Sequence, residues 1–253
     1  MSDTGDLGET TAIVTGASAG IGAATARALA AEGASVVLAA RREDRLQDLA
    51  NELDDETPGT GRAVATDVTD RSAVDALVAM TVETFGGLDL LVNNAGTGPG
   101  RGMDVTEVPL EQYRTVMDVN VDGMFYTTRA ALPHLRESRG IVVFVSSFAG
   151  CYPRPQAPIY AASKWWTRGF ALSLAGHEGV NDVGVTLVNP TEVRTEFGKD
   201  FRDREELHLE RHEPGAVTEP EEIAAGIVFA AKQEPPNVVT ELDLYRRDKF
   251  ADF

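Results

Sequence analysis

Cysteine and long apolar runs are scarce in the sequence, and each scarcity excludes a class of protein. The chain contains a single cysteine, Cys151, so no internal disulfide can form and nothing in its composition points to an oxidising compartment. No apolar run approaches the ~18–20 residues that a membrane-spanning helix needs. Residues 1–9 are polar and acidic, which is unlike a signal peptide, and we expect a flexible tail there. These absences favour a soluble, cytoplasmic protein that has no membrane partner.

Positive charge is also scarce. The chain has 23 Lys and Arg residues against 40 Asp and Glu, a formal net charge of −17, and four of the 23 are lysines. Such a surface is a poor partner for nucleic acid or anionic membranes. It resembles the surfaces of proteins from salt-loving organisms, because molar salt shortens the Debye length to ~3 Å and so mutes self-repulsion. We expect a halophilic protein; the alternative is an ordinary acidic protein from a GC-rich genome.

Short apolar segments alternate with helical segments along the chain. The apolar segments show no polar alternation, as expected of strands that are buried on both faces of a sheet. The predicted strands are 11–16, 35–40, 62–66, 88–93, 140–146, 183–189 and 237–244, and the predicted helices are 21–32, 42–53, 70–85, 109–137, 157–177 and 219–232. This order predicts one α/β domain over residues 1–253, a Rossmann-like, doubly wound parallel sheet of about seven strands in the order 3-2-1-4-5-6-7, with helices on both faces.

A glycine-rich segment lies between the first predicted strand and the first predicted helix. Gly16, Gly20 and Gly22 are spaced as Gly-x-x-x-Gly-x-Gly, with Ser18 and Ile21 between them. The glycines allow a tight turn and a close approach of the backbone to a pyrophosphate, which the helix N-terminus then holds. The position of the segment, more than its spacing, predicts a dinucleotide-binding loop.

An acid–base pair is predicted in the helix after the fifth strand. Tyr160 and Lys164 are four residues apart, so they lie on one face of the helix, one turn from each other. A tyrosine hydroxyl has a pKa near ~10, and a neighbouring cation lowers that pKa by stabilising the phenolate. Ser147, at the end of the strand, can hold a substrate oxygen beside Tyr160, whereas strand alternation points Ser146 away. These groups can pass a proton to or from an alcohol or a carbonyl.

Two asparagine motifs complete a known pattern. With Asn94-Ala95-Gly96 after the fourth strand and Asn120 in the helix that follows, the chain resembles the short-chain dehydrogenase/reductase family over residues 10–245. The resemblance implies that Asn120 anchors a water which links the catalytic lysine to solvent, and that Asn94, Ala95 and Gly96 line the adenosine-ribose side of the cofactor. Taken alone, Asn120 also fits a satisfied polar residue inside a helix.

The same resemblance gives roles to the acid–base pair. Tyr160 would be the general acid in reduction and the general base in oxidation. Lys164 would lower the pKa of that tyrosine and bind the hydroxyls of the nicotinamide ribose. Ser147 would donate a hydrogen bond to the substrate carbonyl.

The end of the second strand indicates which cofactor is used. NAD-dependent enzymes place a carboxylate there to bind both ribose hydroxyls, but this chain has Ala40 followed by Arg41 and Arg42. A guanidinium forks onto the 2′-phosphate of NADP, and Ser18 could add a hydrogen bond, so we expect NADP(H). The alternative is that one or both arginines are simply exposed in the first turn of a helix. The residues expected to contact adenine are Asp67 and Val68.

The segment after the sixth strand departs from the family's usual Pro-Gly-x-Val-x-Thr. Pro190, Val193 and Thr195 match it, and the resemblance implies that Val193 and Thr195 hold the nicotinamide carboxamide. Thr191 replaces the usual glycine, so the loop has less backbone freedom. Residues 191–216 are crowded with charged side chains, and we expect either a lid over the substrate or a solvated acidic loop, two descriptions that can both hold.

The histidines do not predict a metal site. They are His134, His177, His208 and His212. His208 and His212 have the i, i+4 spacing of a ligand pair, but no third ligand is evident in the sequence.

Two tryptophans bear on assembly. Trp165 and Trp166 directly follow Lys164, and at least one of them must face away from the sheet. In the family that the chain resembles, this helix packs in a subunit interface, so we expect a homodimer or a homotetramer.

These observations predict an NADP(H)-dependent oxidoreductase that transfers a hydride between nicotinamide and a carbonyl or secondary alcohol. Phe148 and Tyr152 suggest a small, partly apolar substrate. One alternative is a non-catalytic NADP-binding redox sensor on the same fold, although such proteins typically lack the tyrosine or the lysine. Another is an epimerase or dehydratase of the extended family, but the T-G-x-x-G-x-x-G loop of those proteins is missing here.

Overall fold

A single parallel sheet forms the centre of the molecule. The computed structural model describes residues 7–98, 104–197 and 212–248. The strands are β1 (Thr11–Thr15), β2 (Ser35–Ala40), β3 (Thr60–Ala65), β4 (Leu90–Asn93), β5 (Ile141–Val145), β6 (Gly184–Pro190) and β7 (Glu241–Leu244). Their order is β3-β2-β1-β4-β5-β6-β7 and every pairing is parallel, which confirms the predicted Rossmann-like, doubly wound sheet.

Helices connect the strands. They are α1 (Gly20–Ala31), α2 (Glu43–Glu56), α3 (Arg71–Phe85), α4 (Leu110–Met117), α5 (Met124–Ser138), α6 (Pro158–Glu178) and α7 (Pro220–Ala231). The caps explain several of these ends: Asp70 accepts hydrogen bonds from the first turn of α3, and Gly86 ends that helix in the left-handed conformation. Within the described ranges, no helix has both the length and the apolar character that crossing a bilayer requires.

The core is divided by the sheet into two layers. On one side Leu29, Leu46 and Ile227, from α1, α2 and α7, are fully buried against the strands. On the other side Leu77 of α3 and Leu135 of α5 are buried with them. Because both faces are covered, the central strands have no solvent-facing positions, and this is why their sequences show no polar alternation.

The long helix expected over residues 109–137 is not continuous. A π-helical segment, Asp118–Gly123, separates α4 from α5. Gly123 packs tightly on Val68, since a Cβ at Gly123 would lie 2.7 Å from the Val68 Cγ2 atom. Asn120, in the same segment, is fully buried and hydrogen-bonded. Tertiary packing therefore widens the turn, a local change of the kind that often marks functional positions and that helix periodicity does not reveal.

The parallel arrangement gathers the carboxyl ends of all the strands along one edge of the sheet. The residues that follow β1, β4 and β5 there are Gly16, Asn94 and Ser146, and β6 ends at Pro190. In an open α/β sheet this edge is where ligands bind.

Candidate active site

The glycine-rich loop is held in place by the end of β4. Gly16 has a φ of +67°, and a Cβ there would lie 2.8 Å from the Asn94 Nδ2 atom. The Asn94 side chain donates to the carbonyl of Thr15 at 2.9 Å, and the Thr15 hydroxyl accepts from the backbone N–H of Asn94 and of Ala95, both at 3.0 Å. Only glycine fits this turn. Thr15 was not predicted as a site residue, because nothing in the sequence separates it from the other strand residues.

The proposed acid–base groups meet in one cavity. Ser147 follows β5, and its Oγ accepts from the backbone N–H of Ala149 at 3.1 Å. Tyr160 and Lys164 lie one turn apart on α6, with the Lys164 Nζ 5.9 Å from the centroid of the Tyr160 ring. Ser147, Tyr160 and Lys164 all line a cavity of about 400 Å³, which we call the catalytic cavity.

Lys164 is the most deeply buried cation of the site. It is 3% exposed, and its Nζ donates to the carbonyl of Val145 at 2.9 Å. Burial lowers the pKa of Lys164 to about 8, because the apolar surroundings disfavour the charged form. The ammonium therefore predominates at pH 7, and the group titrates within a unit or so of neutrality.

The Asn120 side chain is hydrogen-bonded to the backbone of Thr97 and to the hydroxyl of Ser163. Its Nδ2 donates to the carbonyl of Thr97 at 2.9 Å and to the Ser163 hydroxyl at 3.0 Å, and its Oδ1 accepts from the Thr97 N–H at 2.8 Å. These bonds tie the segment after β4 to α6, at the residue just before Lys164. Ser163 was not predicted from the sequence, although its position between Tyr160 and Lys164 was a usable signal.

A second cavity of about 550 Å³ adjoins the first, and we call it the cofactor cavity. Its lining includes these predicted residues: Gly16, Ser18, Gly20, Ile21, Arg41, Arg42, Asp67, Val68, Asn94, Ala95, Gly96 and Thr195. The residues that line both cavities are Ile21, Asn94, Gly96, Thr195 and Phe197, so the two cavities form one cleft. Pro190 and Val193 line the catalytic cavity alone. Gly22 lines neither, and packs against Asn94 instead.

The positive end of the cofactor cavity contains an unexpected carboxylate. The Nε of Arg42 donates to the Ser18 hydroxyl at 3.0 Å, and its Nη1 donates to Glu196 at 2.9 Å. Arg45, one turn further along α2, also donates to Glu196, at 3.1 Å. Arg41 is exposed at the rim. Neither Arg45 nor Glu196 was predicted, because they are 151 residues apart in the sequence and only the fold brings them together.

The catalytic cavity differs from expectation in its aromatic residues. Phe148 and Tyr152 were expected near the substrate, but neither lines the cavity in the part of the chain that the structure describes. They stack on each other with ring centroids 4.4 Å apart, and the Arg154 guanidinium lies 4.5 Å from the Phe148 centroid. Arg154 does line the cavity, with Gln156 as a polar neighbour. The aromatic pair therefore positions an arginine and does not itself form the wall.

Ser146 is a second difference. Strand alternation was expected to point it away from the site, yet both Ser146 and Ser147 line the catalytic cavity. The backbone stays strand-like here, since the Ser146 N–H donates to the Val188 carbonyl at 2.8 Å and Ser147 has a φ of −171°. The Ser146 hydroxyl is buried next to Gly150, so Ser146 borders the cavity although its hydroxyl is buried.

Two predictions fall partly outside the described residues. Of the proposed lid, the structure describes residues 191–197 and 212–216. His208 also lies outside the described ranges. Within those ranges no three His, Cys, Asp or Glu side chains are grouped as metal ligands would be.

Comparisons with known proteins agree with this geometry. A model of the short chain dehydrogenase family matches residues 10–206. An oxidoreductase of Staphylococcus aureus (strain MRSA252), itself described as uncharacterised, is 34% identical over 232 residues, which are 91% of this chain and 94% of the relative. The structure of an alcohol dehydrogenase from the archaeon Thermococcus sibiricus, complexed with 5-hydroxy-NADP, has a TM-score of 0.84 at 29% identity and covers 94% of this chain and 98% of that one. The structure of 3-ketoacyl-(acyl-carrier-protein) reductase from Brucella melitensis, complexed with NADH, has a TM-score of 0.82 at 28% identity and covers 94% and 97%.

The chain therefore belongs to the short-chain dehydrogenase family and is an oxidoreductase of that family. The two solved structures hold an NADP derivative in one case and NADH in the other. The relative named above is staphylococcal and gives no support to the expectation of a halophilic protein, which stays a prediction.

Proposed function

We propose that the protein is an NADP(H)-dependent oxidoreductase acting on a carbonyl or secondary alcohol of a small, partly apolar substrate. The apolar side chains that support this substrate class are Val193 and Phe197 in the lining of the catalytic cavity, in place of Phe148 and Tyr152. The observation that carries this proposal is the cleft itself. Ser147, Tyr160 and Lys164 share one cavity, and that cavity opens into a second one lined by the glycine-rich loop and by Arg42.

The residues present fit a dinucleotide cofactor. The glycine-rich loop leads into the N-terminus of α1, where free backbone N–H groups favour an anion. A side chain at Gly16 would collide with Asn94, so the loop keeps its backbone close to the floor of the cofactor cavity. When bound, the nicotinamide would supply or accept the hydride. Asp67 and Val68 would border the adenine, and Val193 and Thr195 the carboxamide.

Proton transfer is assigned to Tyr160. Its ring lies 5.9 Å from the Lys164 Nζ, close enough for the ammonium to stabilise a phenolate electrostatically. Ser147 borders the same cavity and can donate a hydrogen bond to the substrate oxygen. Asn120 holds Ser163, the neighbour of Lys164, and so positions the lysine, and we keep for it the further role of anchoring a water in the proton path.

The preference for NADP(H) over NAD(H) follows from charge. Ala40 ends β2 where a carboxylate would repel the 2′-phosphate, and Arg42, with Ser18 hydrogen-bonded to it, borders the same part of the cavity. Arg41 lies at the rim and can approach from solvent. A doubly charged phosphate bound there would neutralise the guanidinium groups and accept their hydrogen bonds, whereas a ribose hydroxyl is neutral.

The deciding experiment measures NADPH and NADH oxidation against a panel of carbonyl compounds, for the wild type and for Tyr160→Phe. Loss of the hydroxyl is expected to reduce kcat by about 10²–10⁴-fold while NADPH still binds. Tyr152→Phe is the matched control, because this exposed tyrosine lies outside the catalytic cavity. Tight NADPH binding with no turnover of any carbonyl by the wild type would favour the redox-sensor alternative. Faster reaction with NADH would overturn the cofactor assignment.

We also propose that the protein is cytoplasmic and forms a homodimer or homotetramer through α5 and α6. Trp165 of α6 and Phe125 of α5 are 48% and 43% exposed, which is unusual for large apolar side chains. Trp166 is stacked on Phe170 instead. A monomeric mass by light scattering in both dilute and molar salt would contradict the assembly.

A further inference from the structure

Three consecutive residues cross the cleft between its two cavities. We call Thr195, Glu196 and Phe197 the strap. The Thr195 Cγ2 atom would be 2.9 Å from a Cβ placed on Gly20, so it packs directly on the glycine-rich loop. The Phe197 ring has its centroid 5.5 Å from that of Tyr160. The strap therefore touches the loop that would bind a pyrophosphate and the side chain that would transfer the proton.

The middle residue of the strap, Glu196, contacts Arg42 in the cofactor cavity and Arg45 beside that cavity. One Glu196 oxygen accepts from Arg42 at 2.9 Å and from Arg45 at 3.1 Å, and the other accepts from Arg45 at 3.2 Å. Burial acts to raise the pKa of Glu196, but the hydrogen bonds from the two arginines outweigh it and the net shift is downward. The carboxylate is therefore ionised at neutral pH.

A phosphate monoester can accept hydrogen bonds from two guanidinium groups, as the Glu196 carboxylate does here. Glu196 carries a single negative charge against two positive ones, whereas a phosphate monoester carries about −1.5 to −2 near pH 7. The phosphate is thus the better electrostatic match for the pair, and the two anions cannot occupy the same donors together.

We propose that Glu196 competes with the 2′-phosphate of the nucleotide for Arg42 and Arg45, so that this residue sets how tightly 2′-phosphorylated nucleotides bind. The inference rests on the proposed NADP(H) function and extends it in two ways. It makes Arg45 a phosphate-binding residue, and it couples occupation of the phosphate site to release of the Glu196 side chain from both arginines.

Comparison with a second arginine–glutamate pair shows why a phosphate can replace Glu196 on Arg42 and Arg45. Arg136 and Glu178 meet at 2.6 and 2.8 Å, and the Glu178 side chain is 0% exposed. Glu196 is 29% exposed, and its two arginines are 31% and 48% exposed. Ion pairs that remain accessible to water contribute little to stability, so an incoming phosphate can replace the carboxylate at small cost.

The test compares two nucleotides by isothermal titration calorimetry: adenosine 2′,5′-bisphosphate and adenosine 5′-monophosphate. In Glu196→Gln we expect the bisphosphate to bind roughly fivefold more tightly than in the wild type, or ~1 kcal/mol, because the phosphate no longer has to displace a carboxylate from the two arginines. Binding of the monophosphate should change less than twofold. Glu43→Gln is the matched control, because it removes the same charge from the first turn of α2. Adding Arg45→Ala to Glu196→Gln should abolish the gain.

The outcomes separate this inference from the proposed function. If the wild type prefers the bisphosphate but Glu196→Gln gains nothing, or gains equally for both nucleotides, competition at the phosphate is overturned while the NADP(H) assignment stands. If Glu43→Gln gains as much as Glu196→Gln, only general charge matters and the inference fails. If the gain survives Arg45→Ala, the two-arginine site is wrong. If the wild type shows no preference for the bisphosphate, the NADP(H) assignment fails, and the inference with it.

Discussion

The two ends of the cleft are built from different interactions. At the catalytic end, Lys164 and Asn120 are 3% and 0% exposed, and their hydrogen bonds join regular strands and helices. At the cofactor end, Arg42 and Arg45 are partly exposed, and they pair with Glu196 from an irregular segment. Buried hydrogen bonds fix a geometry, because breaking one leaves a polar group without water.

Partly exposed ion pairs behave differently, since water can replace either partner and salt screens both. On the proposed function, the acid–base groups are therefore held in a fixed geometry while the contacts of the phosphate-binding arginines can exchange. This division is the one a dehydrogenase needs if the cofactor must enter and leave while the acid–base geometry stays constant. Five substitutions test this difference between the two ends of the cleft.

The largest effect is expected for Lys164→Met. The variant should lose about 10²–10⁴-fold in kcat, because Tyr160 loses the charge that stabilises its phenolate. The apolar replacement should not unfold the protein, since the site favours an uncharged group. Activity assays beside circular dichroism check both statements; an active variant would remove the lysine from the mechanism.

Lys164→Met should also change how the free energy of unfolding depends on pH. The folded-state pKa of Lys164, about 8, lies below its ordinary value of 10.5, so the unfolded chain binds more protons between these values. The buried ammonium thus costs stability below pH 8, by about 3 kcal/mol, and the cost disappears as the pH rises from 8 towards 10.5. Urea unfolding at pH 7 and pH 10 should show Lys164→Met more stable than the wild type at pH 7 and the difference shrinking at pH 10. A difference that widens would contradict the burial argument.

Asn120→Ala should destabilise the protein by about 2–4 kcal/mol, since it leaves the backbone groups of Thr97 buried without partners. The melting temperature should fall by roughly 5–10 °C. Asn51→Ala on the exposed face of α2 serves as control, because Asn51 hydrogen-bonds only the side chain of Gln47 among the described residues, and its removal should cost less than ~0.5 kcal/mol. Equal losses in the two variants would mean that the catalytic end is no more rigid than the surface.

Arg42→Ala should weaken NADPH binding by roughly 10- to 100-fold, since charge-assisted hydrogen bonds are worth ~1.5–3 kcal/mol, and leave NADH binding nearly unchanged. Raising the salt concentration should reduce NADPH affinity in the wild type more than in this variant. Arg62→Ala, an exposed arginine on β3, controls for total charge. Fluorescence titration of the bound nicotinamide measures each case. A variant that loses NADH and NADPH equally would show that Arg42 supports the loop and not the phosphate.

The smallest effect on stability is expected for Glu196→Gln, and Glu178→Gln serves as the buried comparison. Glu196→Gln should lower the free energy of unfolding by no more than ~1 kcal/mol, whereas Glu178→Gln should lower it by ~2 kcal/mol. Hydrogen bonds from Arg136, with help from Asn181 and His177, hold the pKa of Glu178 at about 2 against the effect of burial. Its contribution is therefore complete above the ordinary glutamate pKa near ~4.3 and is lost as the pH falls towards 2. Thermal unfolding at pH 7 and pH 3 tests this, and the variant and the wild type should converge at the lower pH.

The sequence determined the fold class and most of the cleft. Continuous apolar strands between helices can be buried only in a parallel sheet that is covered on both faces, so the strand order follows from local pattern and chain handedness. The glycine-rich loop and the Tyr160–Lys164 pair were predictable because the residues of each motif lie within one loop or one helical turn, whereas the Asn94 that holds the loop lies 78 residues from Gly16. Both motifs follow parallel strands, so both lie at the same edge of the sheet.

Tertiary structure alone decided the rest. The π-helical turn around Asn120 depends on packing against Val68 and on Thr97, and the wall of the catalytic cavity depends on an aromatic pair that holds Arg154. The carboxylate on Arg42 comes from Glu196, 154 residues away along the chain. Contacts of this kind join segments whose local sequences carry no mark of each other. Only burial and charge pairing in the folded chain select them, and this is why the sequence indicated Arg42 but not its carboxylate partner.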